Sequence, residues 1–262
     1  MRQMEKLQLT AKYNIESVRK DFDEACDKVA LKYNLFYGNG KSRRAQIIET
    51  LTKTPCTSCL DKMLRKTSTN AIDNFYTQCH ILTCNILVEE LYSRLIDRGY
   101  TVSLTTENDV GGYGKIDVLL IPNHHGVDLY FDKKEVAIEV KTGQSFAFSQ
   151  VLRYLLDNER RTILLWRIKN RQILYFEGPK LKPLTTQFMK MVISRAERLL
   201  SKKETSCAHH LAERNWSPSQ ERLQEALSDF SKGIMETLPS VVEAIIAILS
   251  KEESSDVENC KI

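Results

Sequence analysis

Apolar residues recur at three- and four-residue spacing over 13–33, where Ile15, Val18, Phe22, Cys26, Val29 and Tyr33 have charged residues between them. That spacing predicts an amphipathic helix. Gly38-Asn39-Gly40 breaks it, and two shorter helices are predicted over 42–53 and 58–66, divided by Thr54-Pro55-Cys56-Thr57. From 70 to 98 a long helical pattern sets Leu87, Leu91 and Leu95 in one stripe, with Gly99 as the expected stop. The pattern then changes to short apolar runs of strand type at 100–106, 116–121, 136–140, 162–168 and 172–176. A helix over 146–158 separates the third run from the fourth, and another over 185–200 follows the fifth. Ser201–Ser219 reads as a polar linker. Ser217-Pro218-Ser219-Gln220, a capping box with Pro at the first helical position, opens a helix through Leu223, Leu227 and Phe230 that Gly233 is expected to end. A second, very apolar helix is predicted over 239–251, and the acidic 252–262 as disordered.

Strands mingled with helices predict an α/β protein, a mixed sheet flanked by helices with helical N- and C-terminal additions. The expected division is a helical N-terminal region over 1–75, a core over 76–200, and a linker, two helices and a tail over 201–262. The two apolar-faced helices must bury that surface on the core or in a second copy of the chain, so a homodimer through them is one expectation.

Charge and cysteine content narrow the partners. The 262 residues carry a net +4, with Lys+Arg against Asp+Glu at 14 to 9 over 1–75 and 7 to 11 over 201–262. A basic front half permits contact with nucleic acid. Lys41, Arg43, Arg44, Lys62, Arg65 and Lys66 surround two short helices that read either as a helix-turn-helix or as a helical cap with a solvated face. Arg153, Arg160, Arg161 and Arg167 are candidates for lining a groove. MRQMEKLQLT has no apolar signal core, and Glu243 interrupts the most apolar stretch. The expectation is an intracellular, cytoplasmic protein with no membrane partner. Seven cysteines without a signal peptide argue against a disulfide framework. Cys56 and Cys59 form a CxxC, but Cys79 and Cys84 that follow are spaced poorly for a zinc ribbon, so no structural zinc is expected. His124 and His125 read as exposed turn residues.

The chemistry concentrates in 114–143. Two strand-type runs there carry Asp117, Glu139 and Lys141. Side chains at i and i+2 leave a strand by the same face, so Glu139 and Lys141 project together, and Asp117 can converge on them if the runs pair. Two carboxylates and a lysine at one sheet edge suit metal-assisted attack on a phosphodiester. The bland reading is a surface hairpin with a Glu–Lys pair on its wet face. Glu89 and Glu90 lie on the long helix; Glu90 flanks the leucine stripe and is the better placed to reach the site.

The ordered set Gly114-Lys115-Ile116-Asp117, then Glu139-Val140-Lys141, then Gln150 and Tyr154 at QxxxY spacing resembles the PD-(D/E)xK nuclease superfamily in its RecB-like branch. A glutamate shortly before Gly99-Tyr100 is similar to archaeal Holliday-junction resolvases of the same superfamily. The resemblance implies a restriction-endonuclease-like fold. It implies Asp117, Glu139 and the carbonyl of Val140 as ligands to Mg²⁺, or Mn²⁺ in its place, and Lys141 as catalytic lysine. Gln150 and Tyr154 would serve the site from the next helix, with Glu90 as a further carboxylate. No cysteine triplet follows the core, so no iron–sulfur cluster is expected. The implied activity is hydrolysis of DNA; the alternative is a non-cleaving subunit that keeps the fold and binds DNA or assembles with partners.

Overall fold

Five strands, β1 (Val102–Asp109), β2 (Lys115–Pro122), β3 (Val136–Lys141), β4 (Thr162–Arg167) and β5 (Gln172–Glu177), lie side by side in chain order. β3 and β4 run parallel and every other neighbouring pair is antiparallel. A parallel pair needs a crossover, and helix α4 (Phe148–Asp157) supplies it. Helices α1 (Ile15–Tyr33), α2 (Arg44–Lys53) and α3 (Ala71–Asp97) precede the sheet; α5 (Gly178–Leu200) and α6 (Gln220–Asn259) follow it. The protein is therefore α/β, an open mixed sheet flanked by helices. This computed structural model describes residues 15–53, 57, 59, 64, 71–122, 135–143, 147–201 and 219–259.

Alternation along the strands sorts the core into layers. Val118, Leu120, Val136, Ile138, Val140, Leu164 and Trp166 face α3 and α6, where Leu87, Leu91 and Leu95 meet Val242, Ile245, Ile246 and Leu249. On the opposite face Leu119, Ala137 and Ile163 pack against Val151, Tyr154 and Leu155 of α4. A third layer joins Leu152 and Leu156 of α4 to Phe22 and Cys26 of α1, Ile47 and Ile48 of α2, and Met189 and Val192 of α5. Helices α1 and α2, from the expected N-terminal region, pack into one layer with α4 and α5, because α4 is apolar on two sides.

The helix limits also differ from expectation. α5 starts at Gly178, not 185: Pro179 stands second in the first turn, where its missing N–H costs no helical bond, and Pro183 lies inside the helix. The two predicted C-terminal helices are one, with Gly233 and Pro239 inside it. Gly233 does not stop the helix; a Cβ there would lie 2.8 Å from Ile168 Cγ2 and 2.9 Å from the Ile168 carbonyl, so the residue lets α6 approach the sheet. The tail expected to be disordered has helical backbone as far as Asn259. Gln220–Ser250 is long and apolar enough to cross a membrane by length and composition, yet its buried side chains Phe230, Ile234, Val241, Val242, Ile245, Ile246 and Leu249 pack within this chain. Leu227, on the first of the two predicted apolar faces, stays exposed.

Several of the arginines considered for a groove or a helix-turn-helix have partners within the chain. Arg161 is almost wholly buried, bonded to Glu135 and Asp157. Arg153 is buried against the carbonyls of Ala45 and Tyr113. Arg44 pairs with Asp23 and Asp27, and Arg43 donates to the Phe36 carbonyl. These guanidiniums hold elements together. The helix predicted over 58–66, the linker beyond Ser201 and the hairpin connection with His124 and His125 lie mostly or wholly outside the described residues.

Candidate active site

The site forms where the β2·β3 ladder stops. Its last pair on this side is Val118 with Ile138, and one more step of that register sets Asp117 opposite Glu139. There the strands part, and the Asp117 carboxylate fills the gap by accepting the Val140 N–H at 2.7 Å. On its other side β2 loses one rung of its ladder with β1. Thr106 pairs with Val118 and Asn108 with Ile116, but Glu107 and Asp117 between them do not pair. Glu107 takes a left-handed φ of 52°, a strained conformation for a non-glycine residue. The disturbance reverses the alternation of β2. Ile116 joins the α4-side core while Val118, two residues on, joins the α3 side.

Asp117 consequently meets α3. His80 Nε2 donates to Asp117 Oδ1 at 3.1 Å and stands 3.7 Å from the Cys84 sulfur. The hydrogen bond to Asp117, then that to Cys84, pushes the imidazole up to about 10, so His80 is an imidazolium at neutral pH. Glu139, 1% exposed, is held from α4. Its Oε1 accepts from Lys141 Nζ and, at 2.6 Å, from Gln150 Nε2. Its Oε2 lies 2.6 Å from the Tyr154 hydroxyl. Burial first, and then the negative charge of Asp117, push Glu139 up to about 7.

Counting protons explains how these contacts coexist. The Tyr154 oxygen is also 2.7 Å from the Lys115 carbonyl and 2.8 Å from Gln150 Nε2. Tyrosine has one proton to donate and a carbonyl only accepts. When that proton goes to Lys115, the proton between Tyr154 and Glu139 comes from Glu139. A carboxyl that titrates near neutrality can supply it.

Of the five residues expected at the core of the site, Glu139, Lys141, Gln150 and Tyr154 share one hydrogen-bonded network, while Asp117 on the neighbouring strand is bonded to Val140 and His80. Val140 contributes its N–H to Asp117. Glu90 does not join it. Its carboxylate pairs with Arg94 at 2.7 Å on the exposed side of α3, about 15 Å along the axis from His80 at 1.5 Å per residue.

The roles of His80 and Glu107 went unread in the sequence. His80 and Cys84 extend the stripe of Leu87, Leu91 and Leu95 at the same four- and three-residue spacing, so a titratable group in line with the buried face was the available signal. Glu107 left none beyond its place in a polar turn. His80, Glu107 and Asp117 bring one ligand atom each to within 4.8 Å of the others. Among the described residues this is the group that could hold a metal; Cys59, Cys79 and Cys84 are buried and form no disulfide, and Cys56 lies outside the described residues. No protein-family model, curated protein or solved structure matches the chain.

Proposed function

We propose that this protein is a divalent-metal-dependent deoxyribonuclease on a restriction-endonuclease-like fold, as its resemblance to PD-(D/E)xK nucleases implies. The observation that carries the reading is a carboxylate at each of the parted ends of β2 and β3, Asp117 bonded to the Val140 N–H and His80, and Glu139 bonded to Lys141. Asp117 and Glu139 would hold the ion, with His80 and Glu107 beside Asp117. A nitrogen donor among oxygens favours Mn²⁺ over Mg²⁺, since Mg²⁺ prefers oxygen ligands throughout. When bound, such an ion lowers the pKa of water and neutralises charge on a phosphodiester.

The remaining steps belong to the chain. Gln150 and Tyr154 orient the Glu139 carboxylate from α4 and, with Lys141, occupy the lone pairs it turns away from the ion. Lys141 is partly exposed and can turn its ammonium from Glu139 to an attacking water or the scissile phosphate, where a positive donor stabilises the transition state. A bound cation would take the place of the protons on Glu139 and His80.

A second reading rests on the same contacts. Glu139 already has three partners and Asp117 has two, a self-satisfied network that suits a non-cleaving DNA-binding or assembly subunit. Cleavage of labelled single-stranded, duplex and branched DNA with Mg²⁺ or Mn²⁺ separates the two. Wild type is expected to cleave at least one substrate, and Lys141→Ala to lose about 10²-fold or more while melting as wild type does. A wild-type protein inert on all three sinks the enzyme reading.

A further inference from the structure

Beside the carboxylates lies a cavity that none of this chemistry uses. It measures about 170 Å³ and is lined by Phe75, Tyr76 and Cys79 of α3, Thr142 and Gly143 after β3, Lys169 after β4, and Ala226, Asp229 and Phe230 of α6. Its position follows from the topology. β3 and β4 are the parallel pair, and the cavity opens at their carboxyl ends, where open α/β sheets bind ligands. Gly143 is two residues beyond Lys141, about 7 Å along an extended chain. Tyr76 precedes His80 by four residues, so its ring stands one turn of α3 from the imidazole that touches Asp117.

The lining selects a ligand. Phe75 and Tyr76 stack edge to face at 5.4 Å, and Phe230 is buried in the wall, so an aromatic plane meets aromatic surface. Polar groups are few: the Thr142 hydroxyl, the neutral Cys79 thiol, whose pKa burial raises, and the backbone at Gly143, where an added Cβ would meet open space. The Asp229 carboxylate is neutralised by Arg171 at 2.8 Å, while the Lys169 side chain is exposed at the rim. A flat ring with hydrogen-bonding edges and an anionic tether fits such walls. On size, a cavity of about 150 Å³ takes one benzene, so this one suits a single ring better than a fused pair.

We infer that this cavity is a base subsite, taking one pyrimidine splayed out of a single strand whose backbone passes Lys169 toward Asp117 and Glu139. The inference rests on the nuclease reading for its direction of approach, and it assigns that site single-stranded nucleic acid.

The test measures binding of full-length protein to a short single-stranded oligonucleotide, with Ca²⁺ in place of Mg²⁺ to hold back turnover. A pyrrolocytosine probe is moved along the strand, and a parallel series carries an abasic site at each position. Stacking on aromatic side chains is worth 1–3 kcal/mol per base, so the abasic site at the quenched position should weaken binding roughly 5- to 150-fold. Tyr76→Ala should cause a similar loss and abolish the quenching. Ala226→Phe fills the cavity without removing core, and should act alike at unchanged melting temperature. A purine at that position should bind more weakly than a pyrimidine. Affinity indifferent to the abasic site and to Ala226→Phe, or no binding of single strands, overturns the subsite. Cleavage of DNA by wild type alongside that indifference overturns the subsite and leaves the nuclease; base-dependent binding without cleavage under Mg²⁺ or Mn²⁺ does the reverse.

Discussion

Asp117 shows how much one side chain can take from its surroundings. Its carboxylate replaces a missing rung by accepting the Val140 N–H, and it binds His80 on α3. Each contact satisfies a group whose desolvation would otherwise cost about 1–3 kcal/mol. The His80 pair has a signature in pH. Its folded pKa is raised to about 10, chiefly by the hydrogen bond to Asp117, so the metal-free fold binds the proton more tightly than the unfolded chain. That stabilisation is complete below the unfolded value near 6.5 and is lost as pH rises through about 10. Melting temperature in chelator should therefore fall over that window, and His80→Gln should flatten the fall; an unchanged slope in the variant would refute the pairing. Asp117, Glu139 and Lys141 were legible beforehand because period-two alternation and spacing are local properties. His80 was not, since its partner lies on another element. Glu90 was misplaced because a helix flank admits several directions, and only the packing of α3 chose the one toward Arg94.

Elements obeyed their periodicity and ignored several of their stop signals. The strand runs and the α3 stripe appear where apolar spacing placed them, but Gly233 and Pro239 lie inside α6 and Pro183 inside α5. Local propensity disfavours glycine in a helix by about 1 kcal/mol, a deficit smaller than the gain from burying α6 on the sheet. Thr237 reinforces this point by donating to the Gly233 carbonyl at 2.6 Å and accepting from Trp166 Nε1 at 2.7 Å. Gly233→Ala should therefore destabilise the protein, by about 1–3 kcal/mol in urea unfolding, despite the better helix former it introduces. Gly178→Ala should cost more, because its Cβ would fall 2.2 Å from the Glu159 carbonyl oxygen. Equal or raised stability in either variant would show that the backbone yields there.

At the scale of the molecule, the sheet is covered on both faces by helices remote in sequence. α6 shields the face that carries Val140 and Trp166, and α1, α2 and α5 back the helix that carries Gln150 and Tyr154. Removing residues 219–262 should leave Val140, Leu164 and Trp166 against water and yield a chain that binds a hydrophobic dye and lacks a cooperative melt. A soluble truncation with a sharp transition would show α6 to be an addition. That dependence joins the two ends of the chain to the site between them.

The sequence by itself determined the α/β class, most element positions and the acid, acid and amine on neighbouring strands, because apolar period and residue type are written along the chain. It could not determine that β2 loses a rung at Asp117, that His80 meets it, or that α6 walls a cavity beside it. Those facts depend on register and on the approach of segments far apart in sequence, where packing of the whole core outweighs the preferences of any one stretch.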